Sequence, residues 1–363
     1  MNNSGRIISI DVFRGLTIAA MILVNYPGAY GHSFAPLEHA HWAGVTPTDF
    51  IFPFFILIMG ISIVLSFTKQ IQSEKPKKEM IKRIVIRSLI LYWIGFFLHF
   101  LPDFFVIRVD WFGVLQRIAM VYLASSLLFL YTSKKTQLTV LISILVVYWI
   151  TLCFISTSEF SAGTIEPGQN FAAWFDRLFF APETLGKRGW NSEGLYSTFP
   201  SVATCLIGMF AGRLIIQEDK KTEEKITHLL VAGVICVLLG SVWDWQFPII
   251  KKIWTSSYVL YTAGWALLLL ATSIWFIDIK GFKNNPIART GIIFGSNAIA
   301  IYVVADIFET IYKHTHIHDL VYNGLINLGL IDKMASLIWA LISVGSCFLV
   351  AYILYKKRIF IKL

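Results

Sequence analysis

Stretches of about twenty apolar residues recur along this chain, separated by short polar segments; "FIFPFFILIMGISIVLS" (50–66) is representative. A helix needs about twenty such residues to cross the hydrocarbon of a bilayer. Barrel strands would instead alternate apolar and polar residues over about ten positions. The pattern therefore predicts an all-α polytopic membrane protein. Composition agrees: 56% of the 363 residues are hydrophobic and 15% are charged, against about 25% charged in soluble domains.

Ten spans are expected, at about 12–30, 48–68, 84–101, 112–132, 138–156, 198–216, 228–247, 258–277, 291–310 and 335–355. The segments between them sort by basic content. One alternating set (1–11, 69–83, 133–137, 217–227, 278–290, 356–363) holds 19 Lys and Arg; the other (31–47, 102–111, 157–197, 248–257, 311–334) holds 8 although it is longer. The positive-inside rule then places both termini in the cytoplasm, as an even span count also requires. The chain is expected to be a single transmembrane domain, 1–363, with a long extracytoplasmic loop at about 157–197.

Four cysteines lie singly in apolar runs, without CxxC spacing, and read as packing residues. With Arg6 and Arg14 flanking and interrupting the first apolar stretch and no small-residue cleavage site after it, that stretch is expected to stay as a helix. The net charge of +9 is a topological signal here rather than a nucleic-acid footprint. The alternation His314, His316, His318 in the 311–334 segment, expected as a flexible outer loop, is too weak a pattern to predict a metal, and none is expected.

Ionisable groups inside spans need partners or a cavity. Arg14 and Asn25 lie eleven residues apart in the first span, roughly 16 Å along a helix. Arg87 and His99 mark the two ends of the third span, Gln116 and Arg117 open the fourth, and Asp244, Asn297, Asp306 and Glu309 complete the set. Arg14 and Arg87 are open to a second reading, snorkelling to lipid phosphates; Gln116 and Arg117 equally to interhelical bonding. Pro53 and Gly60 could break the second span.

The segment "EHAHWAGVTPTDF" (38–50) contains no Lys or Arg and is expected to face outward. Gly44 and Pro47 set a turn, and Thr46 or Thr48 can cap the helix that follows Asp49. Histidine moves protons near neutrality, and an aspartate ten residues after His39 could orient its imidazole if the loop folds back. A polar interfacial loop with no chemistry is the alternative.

The runs "RIISIDVFRGLTIAAMILVNYPG" and "HAHWAGVTPTDFIFPFFILIMGISIVLS" resemble the signature of the heparan-α-glucosaminide N-acetyltransferase family and its bacterial homologues. Further similar blocks follow in order: "GVLQRIA", "FDRLFF", "SEGLYST", "KKIWTSSYVL", "GSNAIAIYV" and "AYILYKKRIF". The "RG" of "DVFRG" is also similar to the start of the wider transmembrane acyltransferase superfamily. The resemblance implies transfer of acetyl from cytoplasmic acetyl-CoA, across the membrane, to the amine of a terminal glucosamine. It implies catalytic roles for His39, rather than His41, and for Asn25, with Asp49 closing the same pattern. Ala43, Asn191 and Ser192 depart from the family's usual Asn, Asp and Pro, which bears on the acceptor more than on the reaction. The chain also reads as a core-only version, without the large luminal region of the animal enzyme.

On this expectation Arg14, Arg83, Arg87, Gln116 and Arg117 form the donor-binding set, and Trp42, Trp190 and Glu193 contact the sugar. His39 would be a general base or the carrier of a transient acetyl group. The expected partners are an amino-sugar acceptor and the lipid bilayer, with a homodimer left open and nucleic acid excluded; the expected location is a bacterial inner membrane. The alternatives are an amino-sugar permease and an O-acetyltransferase acting on a surface glycan.

Overall fold

The computed structural model describes residues 7–100, 111–186 and 189–361. Arg6, the last residue of the third expected span, nearly all of the 102–111 segment, and Lys187 and Arg188 lie outside the described residues. Among those described, regular structure is thirteen α-helices, a few short 3-10 turns, one π turn and a two-stranded hairpin. The chain is an all-α polytopic membrane protein: eight helices are long and apolar enough to cross a membrane, nine if one bent pair counts as a span. The third expected span falls on a further 24-residue helix, Lys77–Phe100.

In chain order the helices are α1 (Ile8–Asn25), α2 (Ile51–Gln72), α3 (Lys77–Phe100), α4 (Val114–Tyr131), α5 (Lys134–Phe154), α6 (Phe171–Arg177), α7 (Leu195–Ile216), α8 (Thr222–Asp244), α9 (Ser256–Ile274), α10 (Pro286–Ser296), α11 (Ala298–His314), α12 (Ile317–Asn327) and α13 (Asp332–Lys356). The hairpin pairs β1 (Ile165–Glu166) with β2 (Gln169–Asn170). Local chemistry sets several starts. The Ser133 hydroxyl caps α5 by accepting from Thr136 N, Asn170 caps α6, and Asn285 followed by Pro286 opens α10.

The described chain divides into two compact units. One draws on Met1–Ala40, Val45–Phe55 and Leu269–Leu363, the other on His41–Gly44 and Ile56–Leu268. In the first, α1 packs on α10 at backbone contact. A Cβ on Gly15 would lie 1.8 Å from the Gly291 carbonyl oxygen, and one on Gly295 would lie 2.1 Å from the Asp11 carbonyl oxygen. Gly291 and Gly295 are four apart, the small-xxx-small spacing that lets membrane helices approach closely. In the second unit α2 and α7 do the same through Gly60 and Gly208, each with its virtual Cβ 2.1 Å from a carbonyl oxygen of the facing helix.

Three expectations are corrected. The span 291–310 is not one rod: α10 and α11 meet at Asn297 with a bend of 85°. The Asn297 amide fills the break, donating to Ile359 O at 2.9 Å and accepting from Ile361 N at 2.7 Å. The 311–334 segment is largely helical (α12) rather than a flexible loop, and His318 is tied to Gly28 O at 2.8 Å and to Asp319 at 2.9 Å. Pro53 and Gly60 do not break the second span, which is helical over Pro47–Gln72. Pro53 lies in the first turn of α2, directly after the 3-10 turn Pro47–Phe50, and Gly60 serves the α7 contact.

Candidate active site

The segment 38–50 folds back on itself. The Thr46 hydroxyl donates to Glu38 O at 2.6 Å and the Thr48 hydroxyl to Pro36 O at 3.0 Å. Residues Pro47–Phe50 form a 3-10 turn leading into α2. This brings Asp49 under the loop, 1% exposed. Its Oδ2 accepts the backbone N–H groups of Ala40 and Thr46, each at 3.0 Å, and its Oδ1 lies 2.7 Å from His39 Nδ1. Two main-chain donors to one oxygen hold the carboxylate in place. A carboxylate only accepts, so Nδ1 must carry the hydrogen, and in the neutral ring Nε2 carries the lone pair. The imidazole keeps 44% of its side-chain surface exposed while its orienting partner is sealed off. A base needs that combination: a ring held in place and still partly exposed.

Asn25 ends α1 in the same unit as this pair, and its carbonyl accepts from the Tyr30 hydroxyl at 3.4 Å. The next residue, Tyr26, donates to Asp306 of α11 at 2.5 Å, so Asp306 is paired. Arg14 also lies in this unit, 3.3 Å from Asp11.

In the second unit, residues 41–44 are held by Lys252 Nζ donating to His41 O at 2.7 Å and by Gly44 N donating to Ile249 O at 2.8 Å. Trp42 donates from its indole to Ile165 O at 3.0 Å and meets Trp190 edge-on, ring centroids 5.5 Å apart. Trp190 covers the hairpin turn at Gly168, which has φ +73° and leaves no room for a side chain: a Cβ there would lie 2.8 Å from Trp190 Cδ1. Trp42 and Trp190 are thus brought together. Glu193 accepts from the Ser192 hydroxyl at 2.5 Å, and its N–H donates to Asn191 Oδ1 at 2.8 Å.

Arg117 is fully buried. Its Nη2 donates to Ser192 O at 2.7 Å and to the Ser197 hydroxyl, and the guanidinium faces the Trp254 ring at 4.9 Å. Nε and Nη1 have no hydrogen-bond partner among the described residues. Gln116 Nε2 lies 3.4 Å from His99 Nδ1. Arg87 lies over the Tyr122 ring at 4.7 Å, with a buried Nε that has no partner among the described residues, whereas Arg83 is exposed. The five expected donor-binding residues therefore divide: Arg83, Arg87, Gln116 and Arg117 on α3 and α4 of one unit, Arg14 on α1 of the other. Among the described residues no three His, Cys, Asp or Glu side chains converge in a way that could hold a metal ion.

Two residues that sequence reasoning left without a role stand beside Arg117. Trp254, in the "KKIWTSS" block, is buried at φ +53°, a conformation a bulky side chain adopts only under constraint; its indole donates to Thr204 at 3.2 Å. Asp176, in "FDRLFF", accepts from Tyr196 N at 2.8 Å and so caps α7 from a different helix. A charged residue inside so aromatic a block was the available signal.

Burial pushes the Asp176 carboxyl up to about 7, against the pull of the Tyr196 N–H and of Arg117 and Arg177. A carboxyl raised on folding takes up a proton as the chain folds. Its stabilising contribution is complete below about pH 4 and is lost as pH rises through about 7. Asp176→Asn keeps the acceptor but cannot titrate. The melting temperature of wild type should therefore fall relative to the variant between pH 4 and 8, by the equivalent of a few kcal/mol. Parallel melting curves in detergent at those pH values check this.

Taken together, the fold and this geometry define an integral membrane protein with a carboxylate-oriented imidazole at the mouth of a span. The family model described as heparan-alpha-glucosaminide N-acetyltransferase, catalytic, matches residues 6–247, two thirds of the chain, and the protein belongs to that family. It is 27% identical to the human heparan-alpha-glucosaminide N-acetyltransferase over 422 aligned positions, covering 99% of this chain and 60% of the human one. With the mouse protein of the same name it is 25% identical over 426 positions, covering 100% and 61%. The chain thus spans about three fifths of the length of these relatives. The matched region contains Asn25, His39 and Asp49.

Proposed function

We propose that the protein is a transmembrane N-acetyltransferase. In this reading it takes the acetyl group of acetyl-CoA from the basic, cytoplasmic side and places it on the amine of a glucosamine-type sugar on the other side. It would work as one transmembrane acyltransferase domain in a bacterial inner membrane. The observation that carries this reading is the His39–Asp49 pair, in which a buried, doubly bonded carboxylate presets the tautomer that leaves Nε2 able to take a proton. Membership of the N-acetyltransferase family supports the reaction type.

In the proposed step an acceptor ammonium first loses a proton to bulk water. The amine lone pair then forms the C–N bond at the thioester carbonyl while Nε2 of His39 takes the remaining excess proton. Collapse of the tetrahedral adduct breaks the C–S bond, and the thiolate leaves with that proton. General-base help of this kind supplies about 10² to 10⁴ in rate. The Asn25 amide N–H would donate to the oxygen that becomes negative; one such donor is worth about 3–4 kcal/mol. An acetyl-histidine intermediate uses the same atoms in two steps. Asp49 positions the ring in both schemes, and Trp42 with Trp190 offers an aromatic wall for the sugar. The buried N–H groups of Arg87 and Arg117 that have no partner among the described residues are the kind of donors an anionic co-substrate satisfies. They favour those two residues over exposed Arg83 as donor contacts.

The test is incubation of the purified protein with labelled acetyl-CoA and a panel of amino sugars. Label should appear in a product that resists mild base, as an amide does. A base-labile product would make the protein an O-acetyltransferase. No transfer by the folded protein, with uptake of the amino sugar into vesicles, would make it a permease.

A further inference from the structure

A cavity of about 770 Å³ lies in the second unit where four helix ends converge. These are the C-terminal ends of α2, α4 and α7 and the N-terminal end of α5. All four adjoin the Lys- and Arg-rich segments 69–83, 133–137 and 217–227 that the charge distribution assigns to the cytoplasmic side. Its wall is apolar, with Ile71, Phe129, Phe210 and Leu214; its charged lining residues are Lys134 and Arg213, and no Asp or Glu lines it.

Arg213 is held for a purpose that its own contacts do not complete. Its guanidinium lies 5.4 Å from the ring centroids of both Phe129 and Phe210. Nη2 donates to Gln137 Oε1, and Gln137 is itself anchored by donating to Leu128 O at 2.9 Å and Thr132 O at 3.1 Å. Nη1, buried, has no partner among the described residues. Lys134 is the first residue of α5, so its ammonium stands beside the positive end of a 21-residue helix whose cap, Ser133, also lines the cavity. A cationic rim over an apolar wall, beside segments that the charge distribution assigns to the cytoplasmic side, matches a molecule with a phosphate at one end and hydrocarbon at the other.

We propose that this cavity binds an anionic glycerophospholipid of the adjoining leaflet, its phosphate on Arg213 and Lys134 and its glycerol and upper acyl chain along Phe129, Phe210 and Leu214. The lipid requires Nη1 to turn outward by a small rotation of the guanidinium between its two flanking rings. The site is independent of the acetyl-transfer reading, since nothing in it involves His39 or Asp49.

Native mass spectrometry and thermal shift of the full chain, with phosphatidylglycerol or phosphatidylcholine added, test the proposal. Phosphatidylglycerol should bind and raise the melting temperature, whereas phosphatidylcholine should do so weakly. Lys134→Gln, an exposed change that does not touch the core, should weaken phosphatidylglycerol binding on the order of fivefold, the scale of one basic residue at a lipid surface. Arg213→Met should remove the preference between the two lipids. Leu214→Trp, which fills the wall without altering charge, should reduce binding of phosphatidylglycerol while leaving the variant folded. The proposal is overturned if the two lipids bind equally to wild type, or if all three variants keep the wild-type preference. Displacement of the lipid by soluble 3′,5′-ADP at equimolar level would also overturn it, because the phosphate would then be a nucleotide's.

Discussion

Asp49→Asn is expected to lower acetyl transfer by about 10⁴-fold, the scale that loss of tautomer control carries in histidine bases. The asparagine must choose which side of Asp49 to imitate. With its oxygen on the Ala40 and Thr46 N–H groups, its NH₂ faces His39 Nδ1 and demands the lone pair there. The ring then carries hydrogen on Nε2, where the reaction needs a lone pair. Turning the amide the other way restores the tautomer but sets NH₂ against two backbone N–H groups, a clash of donors that costs roughly 1–3 kcal/mol of stability. Initial rates with labelled acetyl-CoA, on protein shown to be folded by its melting curve, measure the effect. A loss under tenfold would mean that the carboxylate holds the loop and leaves the tautomer to other groups.

The second large effect is on folding. Gly15→Leu is expected to prevent the first unit from forming, because even a Cβ at this position would sit 1.8 Å from the Gly291 carbonyl oxygen. The obstacle is backbone on a helix that carries its own close contact at Gly295, so no side chain can swing aside. The helices must separate by more than an ångström along their whole contact. Losses above about 4 kcal/mol follow from overpacking of this kind. The variant should run in the void volume on size exclusion in detergent. Gly324→Ala is the control, since a Cβ there meets nothing within 4 Å; it should elute as wild type does. Equal elution of both variants would remove the α1–α10 contact from the account of the fold.

What the amino-acid order reveals of this protein follows the range of each interaction. The spans were legible because burial in lipid acts on composition over twenty residues, and eight helices and a bent pair lie where the apolar runs place them. The turn at Gly44 to Asp49 was legible because its caps and its proline act within three or four residues. That Asp49 meets His39 was a conditional expectation: spacing of ten allows the contact, and the folding-back that makes it real depends on Thr46 reaching Glu38 and Thr48 reaching Pro36. The bend at Asn297 was hidden, because hydropathy runs on through it and the partners of its amide, Ile359 and Ile361, lie more than sixty residues away. Arg117 was visible as a costly charge in a span. Its attachment to Ser192 and Ser197 and its packing on a strained Trp254 were not, since such partners are set by tertiary packing. The same holds for Asp176, whose role as a cap for a helix nineteen residues downstream has no local signature.

The central claim is that one imidazole, His39, is the group on which acetyl transfer turns. It is tested most directly by comparing His39→Ala with His41→Ala in transfer from labelled acetyl-CoA to glucosamine. His41 is matched in residue type and two positions away, and its described tie is a backbone carbonyl to Lys252, so His41→Ala should keep activity within a few-fold of wild type. His39→Ala should lose at least 10²-fold, the lower bound for a general base, with its melting temperature close to that of wild type. Equal activity in the two variants would contradict the account and leave the His39–Asp49 pair as an interfacial loop lock.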